Sequence, residues 1–492
     1  MYNVCELIKD TDCVSGGILN PDTEVTGIVS DSRRVTPGCM FICIKGKKKD
    51  GHEYICEARR RGASVIVCER GCDCRNGQAT VLITKNARST HAMIISNACK
   101  RPDKELKIIA VTGTNGKTTV TSMIYNALTR SGKRCALIGT LGAFFEGESE
   151  GTGTMTTPDP ETLYPLLRKY ADLGAEYAVM EASSHALALG KLDGMRVHIG
   201  AITNVTPEHL DFHGDMNGYK EAKSRLFSLC EKGVFCVDDA YTEEMYRASV
   251  CKKVSCSVRN DKSDYYADSA RMLGTDGVEF VVRHGGEGTK VASEIPGSFT
   301  VSNALLAVSV LSEAGLSVIT ASNGVTHLSG VRGRMEKLPL KTDFSVIIDF
   351  AHTPDALSKL LESVRSFRKK GERIVTLFGC GGDRDHSKRS LMGAIASRLS
   401  DFVIITSDNS RSEDTGAIID EIMSGFDRVC PFKRIDDRKK AIIYAVRNAM
   451  KGDIILLCGK GHEEYEIDMS GTRPFSERDI VYSALSEGES EL

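Results

Sequence analysis

Short β-branched apolar runs recur along this chain, each closed by a glycine-rich or polar turn and followed by apolar residues at helical spacing. That alternation predicts an α/β protein with mostly parallel, doubly wound sheets, because parallel strands need a helical crossover between them. In the central part, strands are expected over residues 108–111, 135–139, 177–180 and 197–204. The same rhythm returns at 344–348, 374–378, 402–405 and 454–457, each run ending in a polar or glycine-rich turn. Near the start, apolar runs at 38–44 and 63–67 flank a helix-like stretch at 51–61. From about 254 to 292 the pattern shortens to alternating strands with Gly and Asp turns, a β-rich insertion or sheet edge. An apolar helix opens at 302–307, and two glycines within 330–336 suggest a hinge. With 492 residues, the length suits about three domains. They are placed at 1–103, 104–335 and 336–492: a small α/β domain, a central phosphate-loop domain and a Rossmann-like domain. The acidic tail, 487–492, is expected to fray.

Composition narrows the class. Lys and Arg number 64 against 66 Asp and Glu, so no global field favours nucleic acid or an anionic membrane. No apolar run approaches the length of a membrane span, and the N-terminus lacks the basic-then-apolar pattern of a signal peptide. A soluble, cytoplasmic protein is expected. Many of the 17 cysteines, among them Cys43, Cys68 and Cys458, sit in strand-like runs, where they behave as small hydrophobes in a reducing compartment. The tight group Cys68, Cys72 and Cys74 lacks a fourth ligand for zinc.

Residues 106–119, reading L-K-I-I-A-V-T-G-T-N-G-K-T-T, are the stretch around which the chain is organised. A buried strand drops into a glycine turn and then a helix, the arrangement that binds a triphosphate. Glycines admit phosphate oxygens to backbone N–H groups, and the helix N-terminus adds partial positive charge. Gly113, Thr114, Asn115, Gly116 and Thr119 line the loop. Lys117 reaches the β/γ-phosphates, and the Thr118 hydroxyl ligates Mg²⁺. Glu181 and the H-L-D-F-H run beginning at His209 follow later strands at the same sheet edge. Carboxylate and imidazole suit a divalent ion there.

Lys223 is the oddest residue. Tyr219, Ala222, Leu226 and Phe227 share one helical face, and Lys223 lies in the middle of it. It must snorkel, lose its proton, pair with an anion or be chemically altered. Periodicity alone favours snorkelling, while reaction with CO₂ would give an oxygen-rich carbamate suited to Mg²⁺. The turn 45–49, K-G-K-K-K, reads either as a solvated loop or as a pyrophosphate site, and alone the loop is the simpler reading. The four turns of the last third supply Arg, Asp, Asn and Glu at one sheet edge, enough to hold a zwitterion.

Taken together, G-T-N-G-K-T-T, E-A-S-S-H, H-L-D-F-H-G-D-M, Y-K-E-A-K, G-R-M-E, D-F-A-H-T-P-D-A-L, G-C-G-G-D-R-D, D-N-S-R and G-K-G-H-E resemble the Mur ligases in motif and order, over essentially the whole chain. The resemblance implies an ATP- and Mg²⁺-dependent amide ligase of peptidoglycan precursor synthesis, working as a monomer. It implies that a diamino acid is joined to UDP-N-acetylmuramoyl-L-alanyl-D-glutamate through an acyl phosphate. It also implies a UDP-binding domain, a central ATPase domain and a mobile C-terminal domain that supplies the amino acid.

By motif match, Ser30, Ser32, Lys45, Gly46, Thr156, Thr157, Ser183 and Lys191 hold the UDP substrate. Asn303, Arg334 and Asp349 join the loop at the nucleotide. Glu181, His209 and a carbamylated Lys223 join Thr118 on the metal, so Lys117, His209 and Lys223 carry the catalysis. Arg384, Asp408, Asn409, Ser410, Arg411, Gly459 and Glu463 take the amino acid. Three positions depart from the pattern: Lys191 stands for a common arginine, Phe350 for tyrosine and Ser410 for proline in D-N-P-R. An arginine at 411 suits meso-diaminopimelate, whose far carboxylate it can bind bidentately, over L-lysine, which offers no anion there. A folylpolyglutamate synthetase-like ligase is the more distant alternative.

Overall fold

The computed structural model describes residues 1–15, 20–46, 49–71, 79–151, 155–328, 330–426 and 430–489. It forms two compact units, one of Met1–Asp264 with Leu306–Ser317, the other of Tyr265–Leu305 with Val318–Leu492.

In the first unit, parallel strands run in the order Cys135–Gly139, Tyr177–Glu181, Lys107–Thr112, Val197–Ile202, Cys230–Cys236 and Lys252–Ser257. The strand before the glycine loop therefore has later strands on both sides, the switch point at which such sheets bind ligands. Residues 108–111 are wholly buried, which is why they read as an unbroken apolar run. Strands Gly142–Phe145 and Glu148–Glu150 add an antiparallel edge. A separate five-stranded sheet near the N-terminus contains Met40–Ile42 and Val65–Cys68, shorter than the apolar runs that announced them. Between these strands the chain makes a 3₁₀ turn, Gly51–Tyr54, and then the helix Ile55–Arg60.

The second unit holds a six-stranded sheet. Its strands Ser345–Asp349, Ile454–Cys458, Ile374–Phe378, Phe402–Ile405 and Phe432–Arg434 are parallel neighbours in that order. Thr353 caps the helix Pro354–Phe367 through Ala356 N–H, with Pro354 opening the first turn, as proline's fixed φ allows. Strands Tyr265–Met272, Val278–His284 and Glu287–Ser293 form the antiparallel meander expected from the 254–292 pattern. Its second turn places Gly285 and Gly286 at φ +58° and +86°, the sign a tight hairpin turn demands.

The tail expected to fray begins at 487. The final helix runs Glu477–Glu489, and only 490–492 lie outside the described residues. Cys72 and Cys74 also lie outside them, as do Lys47 and Lys48. Every described cysteine is a free thiol, and Cys68 belongs to the core. Among the described residues, no helix is long and apolar enough to cross a membrane.

Candidate active site

The glycine loop sits at the carboxyl end of Lys107–Thr112. Gly113 and Gly116 have φ of +139° and +88°, and a Cβ on Gly113 would run into Thr203. Only glycine fits there without strain. The loop is pinned to the turn after Val197–Ile202. Thr114 N–H donates to Asn204 O at 2.9 Å, and Asn115 N–H donates to Asn204 Oδ1 at 3.1 Å. The Thr203 hydroxyl donates to Asn115 O at 2.6 Å. Gly116 opens the helix Lys117–Arg130, in which Thr118 and Thr119 are buried. Lys117 Nζ folds back and donates to Gly113 O and Thr114 O, both at 2.9 Å.

Glu181 ends the neighbouring strand and is 2% exposed. Its carboxylate accepts the Thr118 hydroxyl at 3.0 Å, Thr140 N–H at 2.8 Å and the Thr140 hydroxyl at 3.2 Å. All three donors are neutral. Among the described residues no cation pairs with it, so a buried negative charge lacks a positive partner, which a divalent ion would supply. Thr157 lies behind, its hydroxyl donating to Glu181 O at 2.8 Å and accepting Ser183 N–H at 3.0 Å. Ser183 in turn caps the helix Ser184–Ala188. Thr156 accepts from the Thr140 hydroxyl at 3.1 Å. Lys191 reaches Asp159 at 2.8 Å and Thr157 O at 3.3 Å.

Tyr219, Ala222, Leu226 and Phe227 are all buried, as the helical wheel required, but the helix breaks at Arg225 into Met216–Ser224 and Leu226–Leu229. Lys223 is 1% exposed. It does not snorkel, contrary to the simpler reading of periodicity. Its Nζ lies 4.4 Å from the centre of the Tyr219 ring, and among the described residues no carboxylate is close enough for an ion pair. Burial, then the charge of Lys117, pushes its pKa well below the usual lysine value, with Glu208 opposing. The Tyr219 hydroxyl lies 3.1 Å from that of Thr114, linking this helix to the loop. His209 is half exposed, adopts φ +55° and packs its ring 4.7 Å from that of His185. Among the described residues, no three His, Cys, Asp or Glu side chains form a ready-made metal cage.

Of the residues matched to the UDP moiety, the Ser30 hydroxyl donates to Glu161 at 3.1 Å and Ser32 to Glu57 at 3.4 Å. Burial works to raise the Glu161 pKa, but His91 and Ser30 hold it down at about 2. Lys45 O accepts from Arg88 at 2.6 Å, and Gly46 N–H closes its turn on Lys49 O at 2.8 Å.

In the second unit, Asp349 accepts Met335 N–H at 2.8 Å and Ala351 N–H at 2.9 Å. Arg334 lies 4.8 Å from the Phe350 ring centre, so Phe350 keeps a ring contact while lacking tyrosine's hydroxyl. Asn303 is buried in the helix Phe299–Glu313.

Most of the residues matched to the amino acid lie together at the carboxyl edge of this unit's sheet. Asn409 Nδ2 donates to Glu463 at 2.8 Å, and Asn409 N–H donates to Asp408 Oδ1 at 2.7 Å. Gly459, at φ +111°, leaves room for Asp408, whose Oδ2 would lie 2.8 Å from a Cβ there. Arg411 Nη1 donates to Gly382 O at 2.7 Å and Asn409 O at 3.3 Å. Ser410 is buried beside Gly382, while Arg384 is exposed. Burial raises the Asp408 pKa, but Arg438 and then Lys460 outweigh it and keep the carboxyl below its usual range. Burial and the charge of Asp408 push Glu463 upward.

Sequence reading missed Thr140, Asn204, Arg438 and Lys460. Lys460 stood inside the G-K-G-H-E motif and Asn204 at the head of a noted turn. Thr140 and Arg438 gave no local signal, since only the fold brings them to Glu181 and to Ser407.

A phosphate loop facing a buried carboxylate, in a chain whose second sheet gathers Asp, Asn, Arg and Glu at its carboxyl edge, fits an ATP-dependent amide ligase. The chain belongs to the Mur ligase family. Residues 24–115 match the Mur ligase family catalytic domain, 111–311 the Mur ligase middle domain and 333–461 the Mur ligase glutamate ligase domain. It is 39% identical over 471 residues to the UDP-N-acetylmuramoyl-L-alanyl-D-glutamate--2,6-diaminopimelate ligase of Syntrophomonas wolfei, covering 94% of this chain and 95% of that one. It is 38% identical to the ligase of the same name from Caldanaerobacter subterraneus, covering 96% of each. A solved structure of a ligase of that name superposes with a TM-score of 0.70 at 31% identity, covering 95% of this chain and 96% of the other.

Proposed function

We infer that this chain adds meso-diaminopimelate to the D-glutamyl γ-carboxylate of UDP-N-acetylmuramoyl-L-alanyl-D-glutamate, consuming ATP, as a cytoplasmic monomer in peptidoglycan precursor synthesis. The observation that carries the reaction type is the Thr118–Glu181 contact at 3.0 Å. It sets a buried carboxylate against the loop that would hold a triphosphate. Residues 1–103 hold the UDP moiety, 104–335 the ATP and 336–492 the amine.

Lys117, now held on its own loop carbonyls, turns to the β/γ-phosphates when ATP enters. The γ-carboxylate attacks the γ-phosphorus in line, ADP leaves and an acyl phosphate forms. The diaminopimelate amine then attacks the acyl carbon, inorganic phosphate departs and the amine nitrogen loses a proton. Held by Thr118, Glu181, His209 and a carbamylated Lys223, Mg²⁺ would supply the positive charge that lets carboxylate and triphosphate approach. Lys223 is suited to carbamylation because burial favours its free base. Its nitrogen adds to CO₂, forming one N–C bond and releasing one proton. Asp408 and Glu463 receive the substrate ammonium, Asn409 turns its Nδ2 donor to Glu463 and the substrate, and Arg411 takes the far carboxylate, an arrangement that favours diaminopimelate over L-lysine. Phosphate release with each amino acid added singly to the UDP-dipeptide tests this. Turnover with L-lysine alone, or without any amine, overturns it.

A further inference from the structure

Two cations with no role in that chemistry lie behind the amino-acid site. Lys460 and Arg438 are 0% and 1% exposed. Lys460 Nζ donates to Asn409 Oδ1 at 2.9 Å and Tyr465 O at 2.8 Å, and lies 3.6 Å from Asp408 Oδ1. Arg438 donates to Ser407 O at 3.0 Å, to Cys458 O at 2.7 Å and to Glu477 at 2.9 Å. Ser407 and Cys458 immediately precede the D-N-S-R and G-K-G-H-E turns, so Arg438 ties the two turns at their roots.

We propose that Lys460 is a positioning residue of the amino-acid site, acting on substrate through Asn409 and Asp408. This rests on reading the two turns as the amine-binding site. A carboxamide can sit either way round in its pocket, but lysine has only donors to offer. Facing Lys460 and Ile467 N–H, at 2.9 and 3.0 Å, Asn409 must present Oδ1 to them. Its Nδ2 is thereby turned to Glu463. Asp408 is 7% exposed and must be ionised to receive an ammonium. The charged or titratable groups facing it are Arg438, Lys460, His352, Glu463, Tyr465 and Cys380. Lys460 is the cation that touches both Asp408 and Asn409, so one side chain sets the charge of one ligand and the orientation of the other.

The test compares K460M and K460Q with the native full-length enzyme, following phosphate release while each substrate is varied. K460M is expected to raise the KM for diaminopimelate on the order of tenfold to a hundredfold. The KM values for ATP and the UDP-dipeptide should stay within about twofold, since uniform binding of those substrates is untouched. The acidic limb of kcat/KM for diaminopimelate should move to higher pH, because Asp408 loses a neighbouring positive charge. K460Q can still donate to Asn409 Oδ1 and should recover part of the KM while keeping the shifted limb. Were K460M not to fold, K460Q carries the comparison through its limb alone. A uniform rise of all three KM values, or an unmoved acidic limb, overturns the proposal. A native enzyme indifferent to diaminopimelate would instead overturn the choice of amine. Lys460 is then tested with whichever amine the native enzyme accepts.

Discussion

The Thr118 hydroxyl donates to the Glu181 carboxylate across 3.0 Å, joining the first turn of the loop helix to the end of the next strand. Both residues are buried, and among the described residues the carboxylate is met only by neutral donors. This arrangement is costly without a cation and well matched to one. E181Q keeps the shape and removes the charge. It should cut kcat on the order of a hundredfold or more without lowering Tm, because an uncompensated buried charge has gone. Phosphate release across a Mg²⁺ titration, with a parallel melting curve, checks both halves. Native Mg²⁺ dependence in E181Q would remove Glu181 from the metal site.

Lys223 makes a chemical prediction as well as a kinetic one. K223A should lose activity on the order of a hundredfold or more, and formate or acetate should restore part of it by occupying the vacated space as an oxygen donor. Carbon-13 NMR with labelled bicarbonate should show a carbamate signal in the native protein that is absent from K223A. Full activity in K223A, or no such signal, rejects the carbamate.

Glu161 gives a pH dependence whose sign is fixed. Its folded pKa is about 2 against an ordinary value of 4.5, so between those values the unfolded chain binds more protons than the native one. The stability it contributes is complete above about pH 4.5 and is lost as pH falls towards 2. Across that window the stabilities of E161Q and the native protein should therefore diverge, E161Q losing less. Urea unfolding at several pH values shows whether they do. The same variant should weaken the UDP-dipeptide, because Ser30 loses a charged acceptor.

Most strands were legible because both faces of these sheets are covered, so each appears as an apolar run closed by glycine or a polar turn. The strands at 135–139, 374–378 and 402–405 match to the residue. The short N-terminal strands were overrun, because apolar residues continue past the paired segment into turns packed on the core. Lys223 was visible as an anomaly, yet periodicity could not say whether its ammonium reached water. That depends on Tyr219 and the neighbouring helices. Arg438 was invisible, since its partners Ser407, Cys458 and Glu477 come from three distant segments. Local signals disclose elements and loops, whereas the supports behind a site are made by tertiary closure.

Arg411 is the residue proposed to select the amine. One of its nitrogens is spent on Gly382 O and Asn409 O, and its backbone sits at φ +52° with its N–H on Ile467 O at 3.0 Å. The guanidinium is thus oriented by the loop, and among the described residues no carboxylate forms an ion pair with it. Loss of a charge-assisted, bidentate contact should raise the KM for diaminopimelate in R411A on the order of tenfold to a hundredfold. The KM for ATP should be nearly unchanged. R411K keeps the charge and loses the fork, so it should fall between the two. L-lysine provides the discriminating control, because it has no far carboxylate to lose. If Arg411 binds that group, R411A should erase the preference for diaminopimelate by worsening it alone. If Arg411 only braces the Gly382 loop, both amines should suffer equally and the preference should survive. Side-by-side KM measurements for the two amines separate these outcomes, and equal losses for diaminopimelate and ATP would place Arg411 outside the site altogether.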